Sequence, residues 1–284
     1  MKAEVIETIR EMVGRTQRLR ATGKSIGFVP TMGALHEGHL SLMRRSRAEN
    51  DVSVISIFVN PAQFALGEDF EEYPRPLAED VRKAKEVGVD LIFTTTAEEM
   101  YPTGYSTFVE EERVTQPLCG RSRPTFFRGV LTAVLKLCQI VRPHRVYFGE
   151  KDFQQCRAVQ RMVSDFHLDV EIIPCPIVRE DDGLALSSRN LYLSAIEREE
   201  ALTIPRSLDL AESLVSDGVR DPAVLVARMT ESIAESPSAR IDYIETLSAD
   251  DLSTIETLQG DVLVAVAVWI GKTRLIDNRV LSVG

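Results

Sequence analysis

The chain has 284 residues, 44% of them hydrophobic and 27% charged, a balance that excludes a disordered or collagen-like protein and is enough to bury a sizeable core. Lys and Arg total 33 against 43 Asp and Glu, a formal charge of −10, which argues against nucleic acid as a main partner but not against a local basic cleft for phosphates. Cys119, Cys138, Cys156 and Cys175 form no CxxC pair, so reduced thiols are expected rather than a disulfide scaffold or a compact zinc motif.

In chain order, Val5, Ile6, Ile9, Met12, Val13 and Leu19 recur at near-helical spacing and predict one amphipathic helix over residues 4–21. The first twenty residues mix both charge signs among isolated apolar positions, unlike a leader. The longest apolar run, Val262 to Ile270, is far short of the ~20 residues of a membrane helix, so a cytoplasmic protein is expected. A strand at Ile26–Thr31, a glycine-containing loop and a helix over 39–50 follow. Val52–Asn60 is a continuous apolar, β-branched run, the pattern of a parallel strand covered on both faces. After a proline-rich loop at 73–76 come a helix (77–88), a strand (90–94), a loop, a helix (130–141), a strand (145–149), a helix (150–166) and a last strand (170–178).

This alternation predicts an α/β fold with a Rossmann-like, doubly wound parallel sheet. The strand pattern stops after Asp181. Ser194 to Glu197 then fits a capping box, and helices with the extended stretches near 240–247 and 262–278 predict a smaller α+β domain. Residues 1–177 are expected to form the first domain and 178–284 a C-terminal lid.

Three clusters could carry chemistry. His36-Glu37-Gly38-His39 opens a helix just after a strand, where free N–H groups and the positive end of the dipole attract phosphate. A surface loop or half a metal site would use the same letters. Gly149-Glu150-Lys151-Asp152 lies beyond the carboxyl end of a strand, where ligands of open α/β sheets collect, though acidic residues suit any helix start. Leu186-Ser187-Ser188-Arg189-Asn190 could close over a polyphosphate as a lid, or be a serine-rich linker. Gln63 and Gln155 do not titrate and suit hydrogen bonding to a small polar substrate.

Together, PTMGALHEGH (30–39), FVNPxQF (58–64), YPR (73–75), FGEKDFQQ (148–155) and DGLALSSRN (182–190) resemble, in order, the pantoate–β-alanine ligases (pantothenate synthetases) of the HxGH nucleotidyltransferase superfamily. The resemblance runs from about residue 5 to the LIDN segment at 275–278. It implies a homodimer that condenses (R)-pantoate with β-alanine at the expense of ATP, with Mg²⁺ on the phosphates and a pantoyl adenylate between. It also implies ATP contacts from Met32, Gly33, Ala34, Leu35, His36, Glu37, Gly38 and His39, from Gly149, Glu150, Lys151 and Asp152, and from Val178, Leu186, Ser187, Ser188 and Arg189. His39 would be the proton donor, and His36, Lys151, Arg189, Ser187 and Ser188 would act with it. Gln63 and Gln155 would hold pantoate, with Gln63 also near β-alanine.

One position departs from that pattern. The family usually has histidine within R-P-x-H-F, whereas this chain reads Arg123-Pro124-Thr125-Phe126-Phe127. Phe126 cannot donate a hydrogen bond, so slower ATP handling is expected unless Arg123 or Arg128 compensates. Another HxGH nucleotidyltransferase, or an ATP-binding sensor weakened at Phe126, are the competing readings.

Overall fold

The computed structural model describes residues 3–65 and 67–284; the first two positions of the stretch read for a leader lie outside them. The expected single helix over 4–21 is instead a strand and a helix: β1 (Glu4–Ile6) and α1 (Ile9–Ala21). Thr8 accepts the Glu11 N–H and starts α1, while the β-branched Val5–Ile6 pair is drawn into parallel register with Ile92 and Phe93. Sheet pairing overrides the helical spacing there.

β2 (Ile26–Thr31), α2 (Glu37–Glu49), β3 (Val52–Ile57), α3 (Leu77–Val87) and β4 (Leu91–Thr94) build one half of a parallel sheet. Two single turns, α4 (Ala97–Met100) and α5 (Cys119–Ser122), lead to α6 (Phe126–Val141), which begins four residues earlier than its apolar spacing indicates. β5 (Arg145–Gly149), α7 (Phe153–Asp165) and β6 (Glu171–Cys175) complete the sheet. Glu150–Asp152, expected inside a helix, form a separate 3₁₀ turn before α7.

The strand order is β1-β4-β3-β2-β5-β6, and every pairing is parallel. From β2 the chain steps outward through β3 and β4; after α6 it returns to the other side of β2 as β5. The order reverses between β2 and β5, and a crevice opens there at the carboxyl ends of the strands.

Beyond β6, the short α8 (Ala195–Glu200) carries the expected capping box on Ser194 and Glu197. α9 (Thr203–Ser216) and α10 (Pro222–Ala234) precede an antiparallel sheet of β7 (Ala239–Ser248), β8 (Gly260–Ile270) and β9 (Thr273–Val283). The apolar run in β8 has a use on each face. Val262, Val264, Val266 and Val268 pack with α9 and α10, whereas Leu263 and Ala265 join the core around α6 and the parallel sheet. The second sheet therefore shares a core with the first. Among the described residues, no helix is long and apolar enough to cross a membrane.

Candidate active site

A cavity of roughly 300 Å³ occupies the crevice at the strand-order reversal and is walled on its far side by β7–β9. Its floor begins at the loop after β2. Gly33 there has φ +88° and Ala34 φ +49°, a left-handed pair that turns the chain back toward α2. The carboxylate of Asp80, on α3 and almost wholly buried, accepts the N–H groups of Ala34 (2.9 Å) and Leu35 (2.8 Å). A Cβ at position 33 would stand 2.8 Å from that carboxylate, so this loop requires glycine. Lys83 Nζ, one turn further on, donates to the Leu35 carbonyl at 2.7 Å. The loop amides are thus turned away from the cavity, toward α3.

The loop delivers His36 as the N-cap of α2 and His39 as its third residue. His36 Nδ1 accepts the Gly38 N–H at 3.2 Å, and His39 Nδ1 accepts the His36 N–H at 3.4 Å. Burial first, then the ammonium of Lys151, lowers the His36 pKa to about 4; burial and then His36 lower that of His39 to about 3. Both rings are neutral at pH 7. With each Nδ1 accepting a main-chain N–H, the ring proton sits on Nε2. These are neutral N–H donors, not imidazolium cations.

β5 ends opposite, and the 150–152 turn sets Lys151 and Asp152 on the cavity wall with Nζ and Oδ1 4.0 Å apart. Asn278 on β9 holds this turn by donating to the carbonyls of Glu150 (2.9 Å) and Lys151 (3.0 Å). Beside it, the buried Asp277 takes a two-pronged ion pair from Arg179 at 2.7 and 2.9 Å. The LIDN segment thereby docks the second sheet onto the cavity.

The Leu186–Arg189 segment closes one side. Ser187 Oγ accepts the Arg189 N–H at 3.2 Å, and the Arg189 guanidinium grips Asp69 with NH2 contacts of 2.9 and 3.0 Å. Arg123 is likewise paired, with Glu68 at 2.6 and 2.7 Å, and its guanidinium lies 3.9 Å over the Phe126 ring. Two neighbouring acidic residues therefore engage two arginines of the wall. The aromatic ring at 126 serves as the platform for one of them.

Gln63 enters from a 3₁₀ turn, Pro61–Gln63, that presses on α6. Gly129 permits the contact: a Cβ there would lie 2.1 Å from the Ala62 carbonyl oxygen. Gln155 faces the same cavity from the first turn of α7. Its neighbour Gln154 is buried, and its amide is spent on Cys119 N–H and the carbonyls of Val114 and Pro117.

Of the residues expected at a site, Met32, His36, Gly38, His39, Gln63, Gly149, Lys151, Asp152, Gln155, Val178, Leu186, Ser187, Ser188 and Arg189 line this one cavity. Gly33, Ala34, Leu35, Glu37 and Glu150 do not: the first three shape the loop over Asp80, and Glu37 is exposed and paired with Arg44. Asn60, Asp69, Asp80, Asp277 and Asn278 also shape the site, although none stands among the residues expected at it. The Asn60-Pro61 pair was a legible cap signal, and Asp277-Asn278 was a polar pair inside an apolar strand pattern. Among the described residues, no group of His, Cys, Asp and Glu forms a ready metal cage.

Known proteins resemble this chain over nearly all of its length. The family model for pantoate-beta-alanine ligase matches residues 4–280. A pantothenate synthetase of Thermotoga neapolitana is 53% identical over 278 residues, 98% of this chain and 99% of that relative. The crystal structure of pantothenate synthetase from Thermus thermophilus superposes with a TM-score of 0.92 at 41% identity, covering 97% of this chain and 98% of the other. A pantoate-beta-alanine ligase from Francisella tularensis, solved with β,γ-ATP and β-alanine, is 35% identical with a TM-score of 0.81, covering 98% of this chain and 97% of that one. By sequence over its length and by fold, this chain belongs to the pantoate–β-alanine ligase family.

Proposed function

We infer that this chain joins pantoate to β-alanine with ATP, releasing AMP and pyrophosphate through an acyl adenylate. The observation that carries the reading is the single cavity in which two neutral histidines, Lys151 and the Ser187–Arg189 segment share a wall system with two non-titrating glutamines.

Pantoate's carboxylate is already a nucleophile at neutral pH. Its oxygen bonds the α-phosphorus as the bond to pyrophosphate breaks, so the protein supplies charge stabilisation rather than a base. The Nε2–H groups of His36 and His39, with Lys151 and Arg189, face the space where that charge develops. In the second step the amine of β-alanine bonds the acyl carbon, the bond to AMP breaks, and the amine's proton leaves with solvent or phosphate. His39 acts here as a hydrogen-bond donor from a neutral ring, a narrower role than a cationic acid. Gln63 and Gln155 would hold pantoate, and Ser187, Ser188 and Val178 would line the nucleotide.

Asp152 is a half-exposed carboxylate on the wall, which fits a Mg²⁺ ion that rides on phosphates and keeps most of its waters. When bound, the ion would neutralise phosphate charge. A cytoplasmic homodimer, with a division into residues 1–177 and 178–284, belongs to the same proposal. The split is supported by the turn from parallel to antiparallel sheet after β6.

The test follows AMP and pyrophosphate with ATP, Mg²⁺ and (R)-pantoate, with and without β-alanine. Sustained AMP release only when β-alanine is present is expected. AMP release independent of the amine, or none with all substrates supplied, would overturn the reading.

A further inference from the structure

Asn60, between β3 and the Pro61–Gln63 turn, is 2% exposed, and both ends of its amide are occupied. Oδ1 accepts the Ala62 N–H at 3.2 Å and the Tyr101 hydroxyl at 2.7 Å. Nδ2 donates to the Gly129 carbonyl at 3.1 Å and to Gln63 Oε1 at 3.0 Å. A main-chain N–H can only donate and a main-chain carbonyl can only accept. Ala62 and Gly129 therefore select which end of the Asn60 amide is oxygen, and the Tyr101 hydroxyl, donating to that same oxygen, holds the amide in this orientation.

That orientation decides the next amide. Gln63 must turn Oε1 to Asn60, so Nε2 is directed at the cavity, where it meets Met32 Sδ at 3.0 Å. A thioether is a weak acceptor, and a carboxylate or hydroxyl oxygen would satisfy the donor better. An unconstrained glutamine would rotate to present either polarity. Here the Tyr101 hydroxyl, whose pKa burial raises further, stays protonated and keeps donating to Oδ1.

We propose that Asn60 and Tyr101 are positioning residues that lock the amide polarity of Gln63, so that the cavity offers a preset N–H donor to an oxygen of the carboxylate-bearing substrate. This rests on the ligase reading, in which Gln63 touches pantoate. It adds a specificity rule: at this point the site favours an acceptor group and disfavours a donor.

The test is steady-state kinetics on the full chain with ATP, (R)-pantoate and β-alanine. Asn60→Asp keeps an oxygen for the Ala62 N–H but removes the donor, so Gln63 must turn Nε2 inward and face the substrate with Oε1. A pantoate KM raised at least tenfold is expected, with the KM for ATP within twofold. In a Gln63→Ala background, which has no amide to turn, the same substitution should add less than twofold. Tyr101→Phe should raise the pantoate KM by a few-fold, again only while Gln63 is present. Equal effects in both backgrounds, or an unchanged pantoate KM in Asn60→Asp, would overturn the proposal. Should circular dichroism show Asn60→Asp unfolded, the Tyr101→Phe pair decides by the same comparison: coupling supports the lock and additivity sinks it. Inactivity of the unaltered chain with all three substrates would instead remove the ligase reading itself.

Discussion

The carboxylate of Asp80 holds the main chain of Ala34 from beneath, 2.9 Å from an amide whose residue has φ +49°. The contact lies on the far side of the loop from the cavity, yet it fixes where His36 and His39 stand. Burial pushes the Asp80 carboxyl up, and the two loop N–H groups oppose that shift. Asp80→Ala would leave both amides unpaired, at ~1–3 kcal/mol each. The expected outcome is a melting temperature lowered by several degrees and a kcat at least tenfold lower. Asp80→Asn, which keeps one acceptor, should lie between. A kcat unchanged in Asp80→Ala would show that the loop holds itself.

The histidines give a pH prediction with a definite sign. Their folded pKa values, about 4 for His36 and about 3 for His39, lie below the unfolded value of 6.5. On acidification the unfolded chain takes up protons first. The stability contributed by these two rings is complete above pH 6.5 and falls as the pH drops through 4 toward 3. NMR titration of the ring Cε1–H signals should therefore show His36 and His39 still neutral at pH 5. Titration of both near 6.5 would show that burial in the folded chain does not hold these rings neutral, and protonation of both at pH 7 would contradict the neutral-donor mechanism.

The layered fold was legible because its cause is local: continuous β-branched runs at Val52–Ile57 and Val262–Ile270 alternate with, or follow, helical patterns. β1 was not, because three residues become a strand only through pairing with β4, 87 positions away. The same contrast holds in the site. His36, Lys151 and Arg189 stand in compact motifs whose letters alone suggest a phosphate site. Asp80, Asn60 and Asn278 act on those motifs from other elements, through main-chain atoms whose direction no letter pattern specifies. The motif 32–39 looked like a row of ligand contacts for this reason, whereas its middle residues are committed to α3.

Arg189 is engaged by Asp69 before any phosphate competes for it. In the proposed function Arg189 binds the ATP phosphates, and ATP would then have to compete with that two-pronged pair, which is only about a third exposed. Asp69→Asn should weaken it and lower the KM for ATP by a few-fold, while Arg189→Ala should raise that KM at least tenfold, with pantoate KM little changed in both. A higher ATP KM in Asp69→Asn would mean that Asp69 holds the guanidinium in its working position instead of competing for it.

Phe126 stands where the family's pattern leads one to expect a histidine, and its ring carries the Arg123 guanidinium at 3.9 Å. Two effects oppose each other in Phe126→His. An imidazole adds a hydrogen-bond donor on the cavity wall, and a transition-state donor is worth on the order of 3 kcal/mol. It also weakens the platform under Arg123, by ~0.5–1 kcal/mol for a partly exposed cation–π pair. The gained donor outweighs the weakened platform, and Arg123 keeps Glu68 in either case. Adenylation in Phe126→His, measured as the single-turnover rate of pyrophosphate release, should therefore rise. Phe126→Leu, which loses the platform and gains no donor, should fall. If both variants slow the step, the aromatic ring itself is the working part, and Arg123 held flat upon it does what a histidine would do.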